Sequence, residues 1–526
     1  MLAQGLRTDF CVTHCNRLCS RNVIEQPFQT YRVKVPPHLN LGLWLGLVVV
    51  VGAVLRFFRL GTKSFWLDEA TSTVLAQASR HVFVTAIFQR QANMVLYYIL
   101  LRGWLRLGGG EFVVRSLSVV AGVAAIPAIY LLGTRLFGPR AGRIAALLLC
   151  VHAFHIRYSQ EARAYSLFML LAILSSLFFV RALEQPSRKI CAAYILLSAL
   201  MVYAQVFGGW ILLAQWMSIL FLRREVCWKE FLFSVAVICL LIAPLAYCLL
   251  FVSDRSQLSW ATKPTLQDLY KFSFDLSGDG GPMLLLAYMA LLLGGVTAGL
   301  SRPSASATQD TRKYSFLLCW LVLPVACVLA VSLRWPAFEP RFLICCVPPV
   351  VLLVADAVAR IRSQILFSAT LVILLLLSLS ATYAYYGGRS DAKHSDDWRD
   401  ATRSIVSQAE AGDAVLFSYS EERLAFDEYQ RQLRITGSPF HEFPEQTDLE
   451  LLTLRPSRPS PELLDKIVTG YKRVWVVSAF QPNRASRPVE ATLTGHFRGH
   501  EDQSFGFVHA DLFVDQIVRP GGSTER

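Results

Sequence analysis

Between Leu41 and Tyr386 the chain reads as a succession of apolar runs separated by short polar loops. The runs lie near Leu41–Phe58, Phe112–Leu136, Ala141–Tyr158, Tyr165–Ala182, Ile190–Val206, Gly208–Leu222, Phe231–Val252, Met283–Leu300, Tyr314–Leu333, Phe342–Ala359 and Ile365–Tyr386. Most of these runs approach the ~20 residues a helix needs to cross ~30 Å of hydrocarbon. Only helices and closed barrels satisfy their backbone in lipid. Barrel strands would alternate over about 10 residues, and no such pattern is present. The pattern predicts an all-α polytopic membrane protein with about eleven transmembrane helices.

One segment breaks the rhythm. "NMVLYYILLRGWLRLGGG" (Asn93–Gly110) is apolar but short, and Arg102 and Arg106 interrupt it. If it crossed, every later loop would change sides. If it instead lies flat as an interfacial helix, the loops "RLFGPRAGR", "RALEQPSRK", "LRREVCWK", "SRPSASATQDTRK" and "RIRSQ" are all cytoplasmic. Each is short and basic, as the positive-inside rule requires. Three regions follow: a cytoplasmic leader (1–40), a transmembrane domain (41–386) whose first outer loop (60–111) holds interfacial helices, and a tail (387–526). With 40 fairly polar residues before the first span, that span is expected to be an uncleaved anchor. The tail is charged and alternates strand and helix patterns. "DAVLFS" and "RVWVVSA" read as strands, "SEERLAFDEYQRQL" as a helix, and "DDWRDATRSIVSQAEAG" as a helix stopped by Gly412. A small extracytoplasmic α/β domain is predicted.

Composition sharpens this picture. The chain has 526 residues, 54% hydrophobic and only 17% charged, against about 25% charged in soluble domains. The net charge of +13 comes mostly from loop residues and reports topology, so nucleic acid is not an expected partner. The twelve cysteines sit mostly in apolar runs and imply no disulfide framework. Cys11, Cys15 and Cys19 around His14 could suggest metal, but an unstructured or lipid-facing leader explains them more simply.

The predicted topology gathers the chemistry on the non-cytoplasmic side. Asp68 and Glu69 in "KSFWLDEATS" follow an aromatic pair suited to the interface. Asp68 could simply cap a helix. Adjacent helical residues diverge by about 100°, so a chemical role would use one acid as base and leave the other to cap or brace. "HIRYSQEARAYS" brings His155, Arg157, Glu161 and Arg163 between two spans, and "WPAFEPRFL" brings Arg341 to the outer end of another. Forked guanidinium donors suit a phosphate. Glu161 could orient an arginine or a sugar hydroxyl. Asn93, Tyr97 and Tyr98 begin the interfacial helix, where Asn93 could reach a ligand and Tyr97 could line it. Snorkelling arginines, ordinary ion pairs and aromatic packing are the plainer readings of each. Asp356 pairs with Arg360 one turn on and is assigned no function. No phosphate-binding loop, dinucleotide fingerprint or H-E-x-x-H motif occurs, which disfavours a nucleotide-driven enzyme.

Taken together, "FWLDEA", "NMVLYYILLRGWLRLGG-EFVVRSLSVVAGVAAIPAIYLLGTRLFG" and "FHIRYSQEARAYSL" resemble the GT-C glycosyltransferases of the protein-O-mannosyltransferase and aminoarabinose-transferase superfamily, nearest its bacterial RgtA/B/C/D-like branch. The resemblance is strong over Leu41–Arg181 and looser through "EPRFLICCVPPVVLLVA" and "DDWRDA". It implies the GT-C fold, a cytoplasmic-membrane location with an extracytoplasmic active site, and a donor sugar carried on polyprenyl phosphate. The acceptor would be a glycan, lipid or protein. Asp68 matches the family's first-loop acid, the expected general base of an inverting transfer. Glu69 is grouped with it as catalytic; Glu161, Arg163, Arg341, Asn93, Tyr97 and His155 are grouped as donor-binding. Where the family usually has a proline before "LYY", this chain has Val95, which alters the local loop. Some superfamily members hold a divalent cation and others do not; Asp68 and Glu161 could share one. A transporter or flippase of lipid-linked glycans is the alternative, although its ionisable groups would sit nearer the bilayer midplane. A non-catalytic scaffold would leave the three loops on one face unexplained.

Overall fold

The computed structural model describes residues 41–221, 227–253, 263–300, 307–387, 396–435, 439–454, 457–479 and 487–515. The cysteine-bearing leader therefore lies outside the described residues, as do most of "LRREVCWK" and the start of "SRPSASATQD". The chain divides by contacts into a short unit ending at Trp44 and a unit, Leu45–Arg526, that holds every candidate site residue.

Each of the eleven apolar runs is helical. The elements are α1 (Leu41–Phe57), α2 (Leu67–Gln77), α3 (Arg80–Gln89), α4 (Val95–Trp104), α5 (Glu111–Phe137), α6 (Pro139–Cys150), α7 (Ala153–Ser159), α8 (Tyr165–Glu184), α9 (Arg188–Ala204), α10 (Gly208–Ser218), α11 (Trp228–Tyr247), α12 (Leu266–Ser277), α13 (Gly281–Leu300), α14 (Ala307–Ser332), α15 (Val347–Ala359) and α16 (Gln364–Tyr386). Among the described residues, seven segments are long and apolar enough to cross a membrane unaided. The remaining runs form shorter helices: α1, the α6–α7 pair, α9 and α10.

The α6–α7 pair corrects the expectation of one continuous span from Ala141 to Tyr158. The helix stops at Cys150 and restarts at Ala153. Arg56, fully buried, donates to the carbonyls of Leu149 and Cys150 at 3.0 and 3.1 Å, and the same two terminal nitrogens reach Gly52 O and His155 Nδ1 at 3.0 and 2.9 Å. Carbonyls freed by a break inside a bundle must be satisfied by protein, and Arg56 does this. α5 and α6 then pack backbone to backbone. A Cβ on Gly142 would sit 2.2 Å from Thr134 Oγ1 and 2.7 Å from the Tyr130 carbonyl, so this crossing requires a residue without one.

The arginine-bearing segment is three short pieces, the helical turn Ala92–Met94, α4, and the turn Leu105–Leu107. Ten residues of α4 rise about 15 Å, half a bilayer. Arg102 donates to the carbonyls of Ala76 and Ala78 at 3.1 and 2.7 Å, which ties α4 to the end of α2.

The tail folds as α17 (Trp398–Gln408), β1 (Ala414–Phe417), α18 (Glu422–Gln432), β2 (His441–Phe443), α19 (Asp448–Thr453), α20 (Pro461–Gly470), β3 (Arg473–Ser478), α21 (Arg487–Thr494), β4 (Gly499–Phe505) and β5 (Val508–Val514). The sheet order is β2-β1-β3-β5-β4. β2, β1 and β3 are parallel, β5 runs antiparallel to β3, and β4 is antiparallel to β5, so β4 shares the direction of the first three. The central β1 and most of β3 are buried, as their unbroken apolar runs require. Gly412 does not stop α17, which already ends at Gln408. With φ at +93° it turns the chain into β1, and its N–H donates to the Pro439 carbonyl.

This domain is fastened to the loop before α2. The Tyr429 hydroxyl accepts the Phe65 N–H at 2.6 Å and the Ser64 hydroxyl at 3.0 Å, and donates to Glu111 at 2.9 Å. Arg399 bonds the same Glu111 carboxylate at 2.6 Å, and its N–H reaches Ser64 at 3.2 Å.

Candidate active site

Asp68 is not the cap of α2. The helix begins at Leu67 with Trp66 as its N-cap residue, and Glu69 reaches back to the Trp66 N–H at 3.4 Å. The two acids occupy consecutive positions of the first turn and diverge as the helix dictates. Glu69 is 1% exposed. Its carboxylate takes a two-pronged bond from Arg115 (2.8 and 2.6 Å) and the Ala162 N–H at 2.7 Å. Arg115 spends its remaining donors on the carbonyls of Leu60, Lys63 and Ser64 at 3.0, 2.8 and 2.8 Å. Glu69 thus joins α2, the start of α5 and the loop after α7, and it faces no open space.

Asp68 faces the other way, with a third of its side chain exposed. Its Oδ2 meets Arg341 at 3.5 Å and Arg163 at 3.7 Å. These arginines come from separate elements, the loop before α8 and the turn Pro340–Cys346 leading into α15. Both are held from behind. Arg341 lies over the Trp66 ring at 5.2 Å, a cation–π contact, and is 3.6 Å from Glu339. Arg163 donates to the Ser72 hydroxyl at 3.1 Å. Two cations converge on one carboxylate oxygen at distances longer than a tight charge-assisted bond.

The remaining predicted residues divide. Tyr97 is buried with its hydroxyl 3.0 Å from Ser118, whose own hydroxyl bonds the Arg163 carbonyl at 3.0 Å; it buttresses the arginine loop. Glu161 is buried two residues before Arg163, and its carbonyl accepts the Arg163 N–H at 2.8 Å. His155 is fully buried against Arg56, so it braces the α6–α7 break and does not line open space. Asn93 lies in the turn Ala92–Met94, its Oδ1 buried and without a hydrogen-bond partner among the described residues.

Several residues escaped the sequence reading. Tyr165 opens α8 within electrostatic reach of Arg341, Arg163, Asp68 and Glu161; its place directly after "QEARA" was the available signal. Arg115 was hidden as one more arginine at a span's edge. Asp396 and Glu421, in the tail, both feel the Asp68 charge. Burial first, and that charge second, push each up to about 7.

A divalent cation shared by Asp68 and Glu161 does not fit this arrangement. It would sit against Arg163 and Arg341, whose charges already serve Asp68. Among the described residues no three His, Cys, Asp or Glu side chains are grouped as a metal site needs.

The fold has known counterparts. The crystal structure of ArnT from Cupriavidus metallidurans bound to undecaprenyl phosphate superposes with a TM-score of 0.60 at 11% identity, covering 91% of this chain and 99% of that one. Its apo form gives 0.61 with the same identity and coverage. The Archaeoglobus fulgidus oligosaccharyltransferase tethered to an acceptor peptide gives 0.51 at 13% identity, covering 88% and 73%. The chain therefore has the GT-C fold of multi-pass membrane glycosyltransferases. Within it, residues 91–247 match the family model described as dolichyl-phosphate-mannose-protein mannosyltransferase. No curated protein sequence matches the chain significantly.

Proposed function

We propose that the protein is a membrane glycosyltransferase that moves a sugar from a polyprenyl-phosphate carrier to an acceptor hydroxyl, on the extracytoplasmic face of the cytoplasmic membrane. The observation that carries this reading is the convergence of Arg163 and Arg341 on the exposed Asp68. Two guanidinium groups from separate elements suit a departing phosphate, and the carboxylate they share suits a proton acceptor. The ArnT structure is bound to undecaprenyl phosphate and the oligosaccharyltransferase structure is tethered to an acceptor peptide, in keeping with a lipid-linked donor.

In the proposed step the acceptor oxygen attacks the anomeric carbon from the face opposite the phosphate. Its proton passes to an Asp68 carboxylate oxygen. The bond between the anomeric carbon and the phosphate oxygen breaks, and that oxygen keeps the electron pair. Polyprenyl phosphate leaves against Arg163 and Arg341. One displacement inverts the anomeric centre. Glu69 and Arg115 hold the first turn of α2, and His155 and Tyr97 hold the surrounding loops; none of these need touch substrate.

The test is release of polyprenyl phosphate by purified protein given a polyprenyl-phosphate sugar and a panel of envelope acceptors. Asp68→Asn should abolish release and leave the fold intact. Normal turnover by that variant would remove Asp68 from the chemistry. A sugar that changes leaflets while staying on its lipid would instead identify a flippase.

A further inference from the structure

One carboxylate near Asp68 has no role in the step above. Asp396 is 4% exposed, yet neither of its oxygens has a hydrogen-bond partner among the described residues. Buried polar groups are nearly always paired, and an unpaired carboxylate is costly. Asp396 is nonetheless firmly placed. The next residue, Asp397, donates its N–H to the Phe505 carbonyl at 3.2 Å and caps α17 by accepting the Asp400 N–H at 3.2 Å. Trp398 is fully buried, and Arg399 is tied to Ser64 and Glu111. The segment is thereby anchored to β4 on one side and to the approach of α2 on the other.

Glu421, just before α18, lies in the same neighbourhood. The Asp68 charge acts on both Asp396 and Glu421. The adjacent Glu422 is already committed, accepting the N–H groups of Tyr419 and Ala479 at 3.0 and 2.8 Å. Two carboxyl groups from separate segments of the tail domain thus approach the proposed base, and one of them is buried with both oxygens unspent.

We propose that Asp396, together with Glu421, forms the acceptor subsite and hydrogen-bonds the hydroxyl groups of a sugar presented to Asp68. This rests on the transferase reading above. A sugar is favoured because two carboxyls on two segments match a ligand with several hydroxyls, whereas a serine or threonine offers one. A cationic ligand is disfavoured because Arg163 and Arg341 already flank Asp68 and Arg90 acts on Glu421. A carboxyl that holds its proton near neutral pH both donates and accepts, as a hydroxyl does.

Saturation-transfer NMR on the full-length protein in detergent tests this, with methyl hexosides and methyl pentosides as hydroxyl probes and ethanolamine as the amine probe. Undecaprenyl phosphate binding is measured on the same samples. At least one methyl glycoside should be saturated by the wild type. Asp396→Ala should weaken it about tenfold or more. Asp396→Asn, which keeps one donor and one acceptor, should stay within about threefold. Undecaprenyl phosphate should bind all three proteins alike. Glycoside binding that is absent from the wild type or unchanged in Asp396→Ala would overturn the proposal. So would ethanolamine binding that is lost in Asp396→Asn, or loss of undecaprenyl phosphate in Asp396→Ala. The transferase reading fails separately, if the wild type does not bind undecaprenyl phosphate.

Discussion

Exchanging one atom group in each of two neighbouring acids should separate stability from turnover. In Glu69→Gln the neutral amide can still accept the Ala162 N–H, but the charge opposite Arg115 is gone. Arg115 is 5% exposed and keeps three carbonyl partners, so it cannot turn outward to water. Removing one partner of a buried pair costs about 3–5 kcal/mol. The surviving bonds place this case near the lower end, about 3 kcal/mol. In Asp68→Asn the lost contacts are long, at 3.5 and 3.7 Å, and a third of the side chain is exposed. Pairs of that kind contribute about 0–1 kcal/mol. Graded-detergent unfolding followed by tryptophan fluorescence should therefore register Glu69→Gln and scarcely move for Asp68→Asn. Polyprenyl phosphate release, normalised to folded protein, should do the reverse. Full stability in Glu69→Gln combined with lost turnover would refute the assignment and make Glu69 the reacting acid. The double variant Glu69→Leu with Arg115→Met should not recover wild-type stability, because it strands the carbonyls of Leu60, Lys63 and Ser64.

Arg341→Met should weaken undecaprenyl phosphate binding about ten- to hundredfold, with partial recovery in Arg341→Lys, which restores charge but not the fork; equal binding by native mass spectrometry would count against the clamp. Stability should fall as pH rises through about 7–8. Asp396 and Glu421, facing Asp68, are pushed up to about 7, and Glu422, facing both, to about 8, burial being the main cause in each. The folded state thus holds protons that the unfolded chain has released, and this contribution is complete below about pH 4 and lost above about pH 8. Asp396→Asn should unfold like wild type at pH 4 and be more stable by on the order of 2–4 kcal/mol at pH 9; no difference at pH 9 would reject the assigned burial. Tyr429→Phe leaves the Phe65 N–H without its acceptor, at about 1–3 kcal/mol, and hydrogen exchange should speed up across residues 64–77 while the central strands stay protected.

Much of the membrane architecture was legible because length and apolarity are local properties. Each apolar run became helix, and the segment interrupted by Arg102 and Arg106 holds a helix of only ten residues. The break between Cys150 and Ala153 was not legible. It depends on Arg56, almost 100 residues away, which the sequence places only within the run Leu41–Phe58. In the tail, β1 and β3 are central, buried strands and read plainly. β4 is a partly exposed edge strand carrying His500, Glu501 and Asp502, so its polarity concealed it. The site shows the same division. Asp68 in the first turn of α2, Arg163 in the loop before α8 and Arg341 in the turn before α15 stand out chemically against apolar surroundings, and the fold brings them together. The opposite facing of Asp68 and Glu69 followed from helical geometry, but Arg115 as the partner of Glu69 did not. Asp396 was visible only as part of "DDW", because its burial is a property of the tertiary fold.

The shared oxygen of Asp68 carries a consequence for timing. The two guanidiniums and the carboxylate engage one another: the arginines that would receive a phosphate are held by the acid that would receive a proton. On the proposed reading an incoming phosphate competes for the arginines, and in winning them it leaves the Asp68 oxygens open to an acceptor hydroxyl. The catalyst would thus be armed by its own donor and return to a safe resting state once the spent carrier departs, with little chance of idle reaction in between.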